Sequence, residues 1–142
     1  DGASEWPTIT ERHQAITAVY TSCKNMPVTL ERYTQILMDW DVVPIKEHGE
    51  IIGGLLIQNN EIHIGITRVP AGPIWAPFRV LQNIIRIYGC AVTKVSAGNA
   101  FGLEFCERMG FKIMHQTEEI IYLRCERARH ETHQITNPKP LF

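Results

Sequence analysis

The sequence sets three strand-length apolar runs end to end, at residues 42–47, 50–58 and 61–67, with almost nothing between them. Only His48-Gly49 and Asn59-Asn60 separate the runs. Such pairs close tight hairpin loops, because Gly and Asn tolerate the left-handed backbone that these loops require. The runs therefore predict a three-stranded meander, and the rest of the chain has to pack around it. In the third run Ile62, Ile64 and Ile66 alternate with Glu61, His63 and Gly65. A strand of that pattern is expected to turn one face to the core and the other to something polar.

The meander cannot continue through Arg68-Val69-Pro70-Ala71-Gly72-Pro73, where the prolines remove donors and the glycine invites a turn. A helix over 74–88 follows, with Phe78, Leu81, Ile84, Ile85 and Tyr88 as its buried stripe and Gly89 as its stop. A short strand is expected at 91–96. Asn99 then caps a helix carrying Leu103, Phe105, Cys106 and Met109, which Gly110 ends, and strands at 111–115 and 119–124 close the pattern. Ahead of the meander, Thr8 and Glu11 form a capping box for a helix over 10–22 with Ile16, Val19, Tyr20 and Cys23 at helical spacing. Thr29 caps a second helix, ending near Trp40, with Leu30, Tyr33, Ile36 and Leu37 on one face. The expected fold class is α/β (α+β), one domain over 1–126, with a polar, aperiodic tail at 127–142 that reads as an arm or disordered segment.

With 142 residues, 44% of them hydrophobic, the chain is long enough for one core and too short for two. Its 14 Lys and Arg nearly balance 15 Asp and Glu, so neither bulk nucleic-acid binding nor attraction to an anionic membrane is favoured. No apolar run approaches the ~20 residues of a membrane-spanning helix, and the N-terminal residues lack the basic and apolar regions of a signal peptide. Cys23, Cys90, Cys106 and Cys125 form no CxxC pair and suit reduced thiols in a cytoplasmic protein. His130 and His133 have no third ligand at recognisable spacing, so no metal is expected. Arg124, Arg127, Arg129 and Lys139 make the tail locally basic, which an ordinary solvated arm explains.

One segment narrows the field. Asn99, Phe105, Glu107-Arg108 and Gly110-Phe111 stand at the spacing of a signature of the GNAT acyltransferase superfamily, and Glu50-Ile51-Ile52-Gly53-Gly54 resembles that family's second hairpin. The resemblance spans about 42–124, although the family's opening strand is short, missing or truncated here. It implies a mixed, mostly antiparallel sheet splayed between the strands 61–67 and 91–96, with about four flanking helices. It further implies an acyl-CoA, most simply acetyl-CoA, whose thioester an amine attacks directly. A base would take the amine's proton, a backbone N–H near Ile66 would steady the oxyanion, and an acid would protonate the departing thiolate.

Candidate residues follow, each with a plain structural alternative. Glu61 and His63 are the candidate bases, or else belong to a solvated strand face. Cys106 stands where the family's motif has its Tyr, as the acid or as a small core residue. At the family's phosphate-loop positions the chain has Ala71, Ile74 and Ala76, of which only Ala76 keeps the pattern. Gly72 and Arg68 are candidates to compensate, and Trp75 to cover the adenine or pantetheine unless it is a core plug. Asn99 either fixes the cofactor arm or simply caps its helix. The alternative function is a GNAT-fold binding or structural module without catalysis, and the compact, divergent form is also in keeping with phage-encoded proteins. The amine acceptor is open, and so is a homodimer.

Overall fold

The structure is a computed structural model that describes residues 7–23 and 25–129. Helices α1 (Ile9–Ser22) and α2 (Leu30–Ile36) come first, the second tightening into a 3-10 turn at Leu37–Asp39. The meander β1 (Asp41–Glu47), β2 (Glu50–Gln58) and β3 (Glu61–Ile66) follows, then α3 (Ala76–Tyr88), β4 (Ala91–Ser96), α4 (Ala100–Arg108), β5 (Lys112–Gln116) and β6 (Ile120–Cys125). The six strands form one mixed sheet in the order β1-β2-β3-β4-β6-β5, flanked by the four helices. The described residues divide into two compact units, one of 7–58 with 63–70 and one of 59–62 with 71–129.

Both hairpins turn where the sequence places them, with positive φ at His48, Gly49 and Asn59. The capping box is complete: Thr8 Oγ1 accepts from the Glu11 N–H at 3.0 Å, and Glu11 Oε1 accepts from the Thr8 N–H at 3.1 Å. The core joins Ala15, Ile16 and Val19 of α1 to Leu37, Val42 and Leu56, with Leu30, Tyr33, Trp40 and Ile51 packed at its edge. Arg12 ties the end of α2 down by donating to the carbonyls of Leu37 and Trp40, at 2.7 and 2.9 Å. Ile36 is exposed rather than sharing the apolar face, because the chain leaves α-helical geometry immediately after it and the tighter turn brings Leu37 inward.

Glycines set how closely α1 approaches the sheet. A Cβ on Gly65 would lie 2.7 Å from Ser22 Oγ and 2.9 Å from Val19 Cγ1, and one on Gly54 would lie 3.1 Å from Ala15 Cβ. The expected division of β3 into an apolar and a polar face is corrected accordingly. Ile62 is buried, but Gly65 is buried too, while Ile64 and Ile66 are only half-buried. Lacking a side chain, Gly65 is the place where α1 closes over the face expected to be polar.

In the second unit α3 begins at Ala76, two residues later than expected, with Pro77 in its first turn, and ends at Gly89 in the left-handed region. Leu81 and Ile84 are buried as the stripe requires, but Tyr88 is 51% exposed: it is the last helical residue, directly before the cap. Strand β6 pairs antiparallel with both β4 and β5. Thr93 and Val95 oppose Leu123 and Ile121 on the buried face, so Val92 and Lys94 share the other face with Arg124 and Tyr122. At the far end the Arg129 N–H donates to the Met109 carbonyl at 2.9 Å, so residues 127–129 of the expected tail are held against the end of α4. The remainder of that tail, with His130, His133 and Lys139, lies outside the described residues, as do positions 1–6, where an opening strand would fall.

Candidate active site

Strand β3 begins with Glu61, which pairs in parallel register with Val92 of β4, and the Val92 N–H donates to the Asn60 carbonyl at 2.8 Å. Side chains of paired residues project to the same face of a sheet. Glu61, Val92 and Arg124 consequently form one row across β3, β4 and β6, and the register continues that row to Lys112 on β5. One pleat along, Lys94, Tyr122 and His115 form the next row, with the His115 and Tyr122 rings stacked at 5.6 Å. A bulge between Ile113 and His115 leaves Met114 exposed beside them.

These rows line an open groove of about 430 Å³ within the second unit, bounded by Glu61, Val92, Lys94, Met114, Tyr122 and Arg124. The half-buried Glu61 is its carboxylate. Arg124 Nε donates to Glu126 Oε2 at 2.9 Å, whereas no carboxylate among the described residues lies within ion-pair distance of the exposed Lys94. Nothing in the local sequence selects Tyr122, and Arg124 reads there as part of a basic tail. Strands are expected at 91–96 and 119–124, but only the register of β4 on β3 and of β6 on β4 puts these residues on one face with Glu61.

The other candidates are distributed as follows. His63 belongs to the first unit, half-buried, with its ring 5.7 Å from that of Trp40 and tilted by 46°. Ile66 ends β3, and the next N–H, that of Thr67, donates to the Ile52 carbonyl at 2.8 Å. Arg68 is clamped between two carboxylates, Nη1 at 2.5 Å from Glu47 and Nη2 at 3.2 Å from Glu50. The hydrogen bond it donates to Glu47, then that to Glu50, raises its pKa. One guanidinium between two carboxylates leaves a net negative cluster, a poor neighbour for a phosphate.

Around the start of α3, Gly72 has open space where a Cβ would stand, and Ile74 is turned inward, 7% exposed. Trp75 occupies the N-cap position and is 46% exposed, so it is not a core plug. Ala76 opens the helix, and no acidic residue stands in its first turn. That leaves the positive end of the helix dipole without a carboxylate, a setting compatible with an anion. Asn99 caps α4: its Oδ1 accepts from the Gly102 N–H at 2.9 Å. A Cβ on Gly102 would lie 2.5 Å from the Asn99 amide nitrogen, so the glycine is needed for that cap. Cys106 is 6% exposed, and burial, with smaller contributions from Glu107 and Cys125, pushes its thiol up to about 12. A thiol so weakly acidic is ill suited to protonating a departing thiolate, whose ordinary pKa is about 8.5. No group of His, Cys, Asp and Glu able to hold a metal occurs among the described residues.

Comparison with solved structures bears on the architecture. Ribosomal-protein-alanine N-acetyltransferase from Brucella melitensis superposes with a TM-score of 0.59, at 16% identity, over 86% of this chain and 98% of its own. A chain of the NatC complex bound to Gag peptide and CoA gives 0.54 at 14% identity, covering 82% of this chain and 91% of that one. The Campylobacter jejuni N-acetyltransferase PseH, in complex with acetyl coenzyme A, gives 0.51 at 16%, covering 80% and 91%. This chain has the GNAT fold. No protein-family model matches the sequence, and no curated protein matches it. At such identities the likeness lies in the order and pairing of elements, and the GNAT fold here is carried by the meander, the parallel β3–β4 pair and the returning β6. Among the described residues no helix of this GNAT fold is long and apolar enough to cross a membrane.

Proposed function

We propose that the protein is an acyl-CoA-dependent N-acyltransferase, using acetyl-CoA to acylate an amine by direct attack, with Glu61 as the base. The observation that carries this reading is the position of Glu61: a half-buried carboxylate at the β3–β4 pairing, opening onto a groove large enough for a small acceptor. The acyl-CoA supplies an activated thioester. As the amine nitrogen forms the new C–N bond and the C–S bond breaks, the Glu61 carboxylate takes the amine's proton. The backbone of β3 receives the donor's arm and supplies the N–H that steadies the oxyanion. The thiolate needs no dedicated acid, since a thiol of ordinary pKa about 8.5 is a fair leaving group near neutrality. Cys106 then acts as a core residue, and His63 as a positioning residue at Trp40 rather than a second base.

On the same reading the backbone from Gly72 to Ala76 and the dipole of α3 hold the phosphates, with Trp75 flanking them and Asn99 confined to capping. Arg68 contributes little, because Glu47 and Glu50 already neutralise it. A protein drawing on acyl-CoA would work in the cytoplasm. Isothermal titration of the full chain with acetyl-CoA and with CoA tests the proposal. Micromolar binding that survives Glu61→Gln, together with loss of turnover in that variant, would support it. No heat at millimolar ligand would overturn it in favour of a GNAT-fold module without chemistry.

A further inference from the structure

We infer that the acceptor is a small amine carrying an anionic group, carboxylate or phosphate, on an apolar spacer, and that Lys94 and Arg124 select it. The inference rests on the acyltransferase reading and adds the class of acceptor. Its basis is the arrangement of charge in the groove. Glu61, the proposed base, stands at one end of a row that runs through apolar Val92 to Arg124. Neighbouring strands lie about 4.8 Å apart, so Glu61 and Arg124, two strands apart, have their backbones separated by about 10 Å. Lys94 flanks this row one pleat along β4, about 7 Å from Val92. Along the row the groove is therefore negative, then apolar, then positive.

A molecule complementary to that order presents an ammonium or amine to Glu61, a few methylene groups over Val92, and an anion to Lys94 and Arg124. The two cations differ in readiness. Arg124 is already paired with Glu126 at 2.9 Å, while Lys94 is exposed and has no carboxylate within ion-pair distance among the described residues. Lys94 is thus the principal determinant, and Arg124 adds to the positive potential. Met114 and Tyr122 give the groove apolar sides that suit an aliphatic spacer. A diamine would bring a second cation against Lys94 and Arg124 and is disfavoured.

Three acceptors of similar length and different terminal charge test this directly: 6-aminohexanoate, hexylamine and 1,6-diaminohexane, with 3-aminopropylphosphonate as the phosphate-like arm. Release of CoA thiol from acetyl-CoA is followed for the full chain. The expected order of kcat/KM is 6-aminohexanoate or the phosphonate first, hexylamine next and the diamine last, with up to about fivefold between anionic and neutral acceptors, as one solvent-exposed charge pair can supply. Which of the two anionic acceptors leads distinguishes carboxylate from phosphate. Lys94→Gln should abolish most of the preference through KM, Lys94→Arg should retain it, and Lys94→Glu should favour the diamine. Preference for hexylamine or the diamine in the unaltered protein, or an unchanged preference in Lys94→Gln, overturns the inference while leaving the acyltransferase reading intact. Absence of both acetyl-CoA binding and thiol release overturns that reading, and this inference with it.

Discussion

Alanine at position 65 is a demanding test of the way α1 lies on the meander. A Cβ there would come within 2.7 Å of Ser22 Oγ, 2.9 Å of Val19 Cγ1 and 3.0 Å of Val19 Cα. The hydroxyl and the methyl could rotate away, but the third contact is with backbone inside α1 and yields only if the helix moves. Moving it would loosen Ala15, Ile16 and Val19, which are among the most buried residues of the first unit. Overpacking of this kind costs about 1–3 kcal/mol, and the backbone contact places Gly65→Ala at about 2–3 kcal/mol. Urea unfolding followed by circular dichroism measures it as a fall in midpoint at unchanged slope. Adding Ser22→Ala should relieve only part of the loss, because the Val19 contacts persist. Gly72→Ala is the control: φ there is not positive and a Cβ meets nothing within 4 Å, so the change should be neutral or stabilise by up to about 1 kcal/mol. A Gly65→Ala protein within about 0.5 kcal/mol of the parent, the range of ordinary surface substitutions, would refute the packing argument.

Phe105→Ala empties a buried aromatic site on α4 and should cost about 3–5 kcal/mol, read as a lowered melting temperature. Glu61→Gln should reduce kcat by about 10²- to 10⁴-fold, the usual contribution of a general base, with acetyl-CoA binding retained in titration. At alkaline pH, burial holds the Cys106 thiol and the Tyr33 phenol up to about 12. Both pKa values are raised on folding, so their contribution to stability is full below the unfolded values and fades as pH climbs from about 9 towards 12; Cys106→Ala should flatten the lower part of that decline in urea midpoints. At pH 8 a disulfide-exchange reagent should label the exposed Cys23 quickly and Cys106 only on unfolding.

Much of the fold is written in local sequence. The hairpin turns at His48-Gly49 and Asn59-Asn60, the capping box at Thr8, the Asn99 cap and the stop at Gly89 each depend on residues within a few positions of one another. Turn chemistry, capping and apolar period act at that range, so the strands and helices were foreseeable to within about two residues, except that α2 gives way to a 3-10 turn four residues before its expected end near Trp40. Glu61 also stands out locally, as the acidic residue that opens the third run. What local sequence could not supply was which distant residues would meet. Arg68, a candidate phosphate contact or exposed loop charge in sequence, is held by Glu47 and Glu50, and Cys106, a candidate acid or core residue, is buried with its thiol pushed up to about 12. Ile36 and Tyr88 matched their helical stripes yet lie outside them, because a helix end is decided by its cap and by what it packs against. The groove itself is a product of register. Lys94, Tyr122 and Arg124 are unremarkable in sequence and share a face with Glu61 only through the pairing of β4 with β3 and β6, which tertiary packing alone decides.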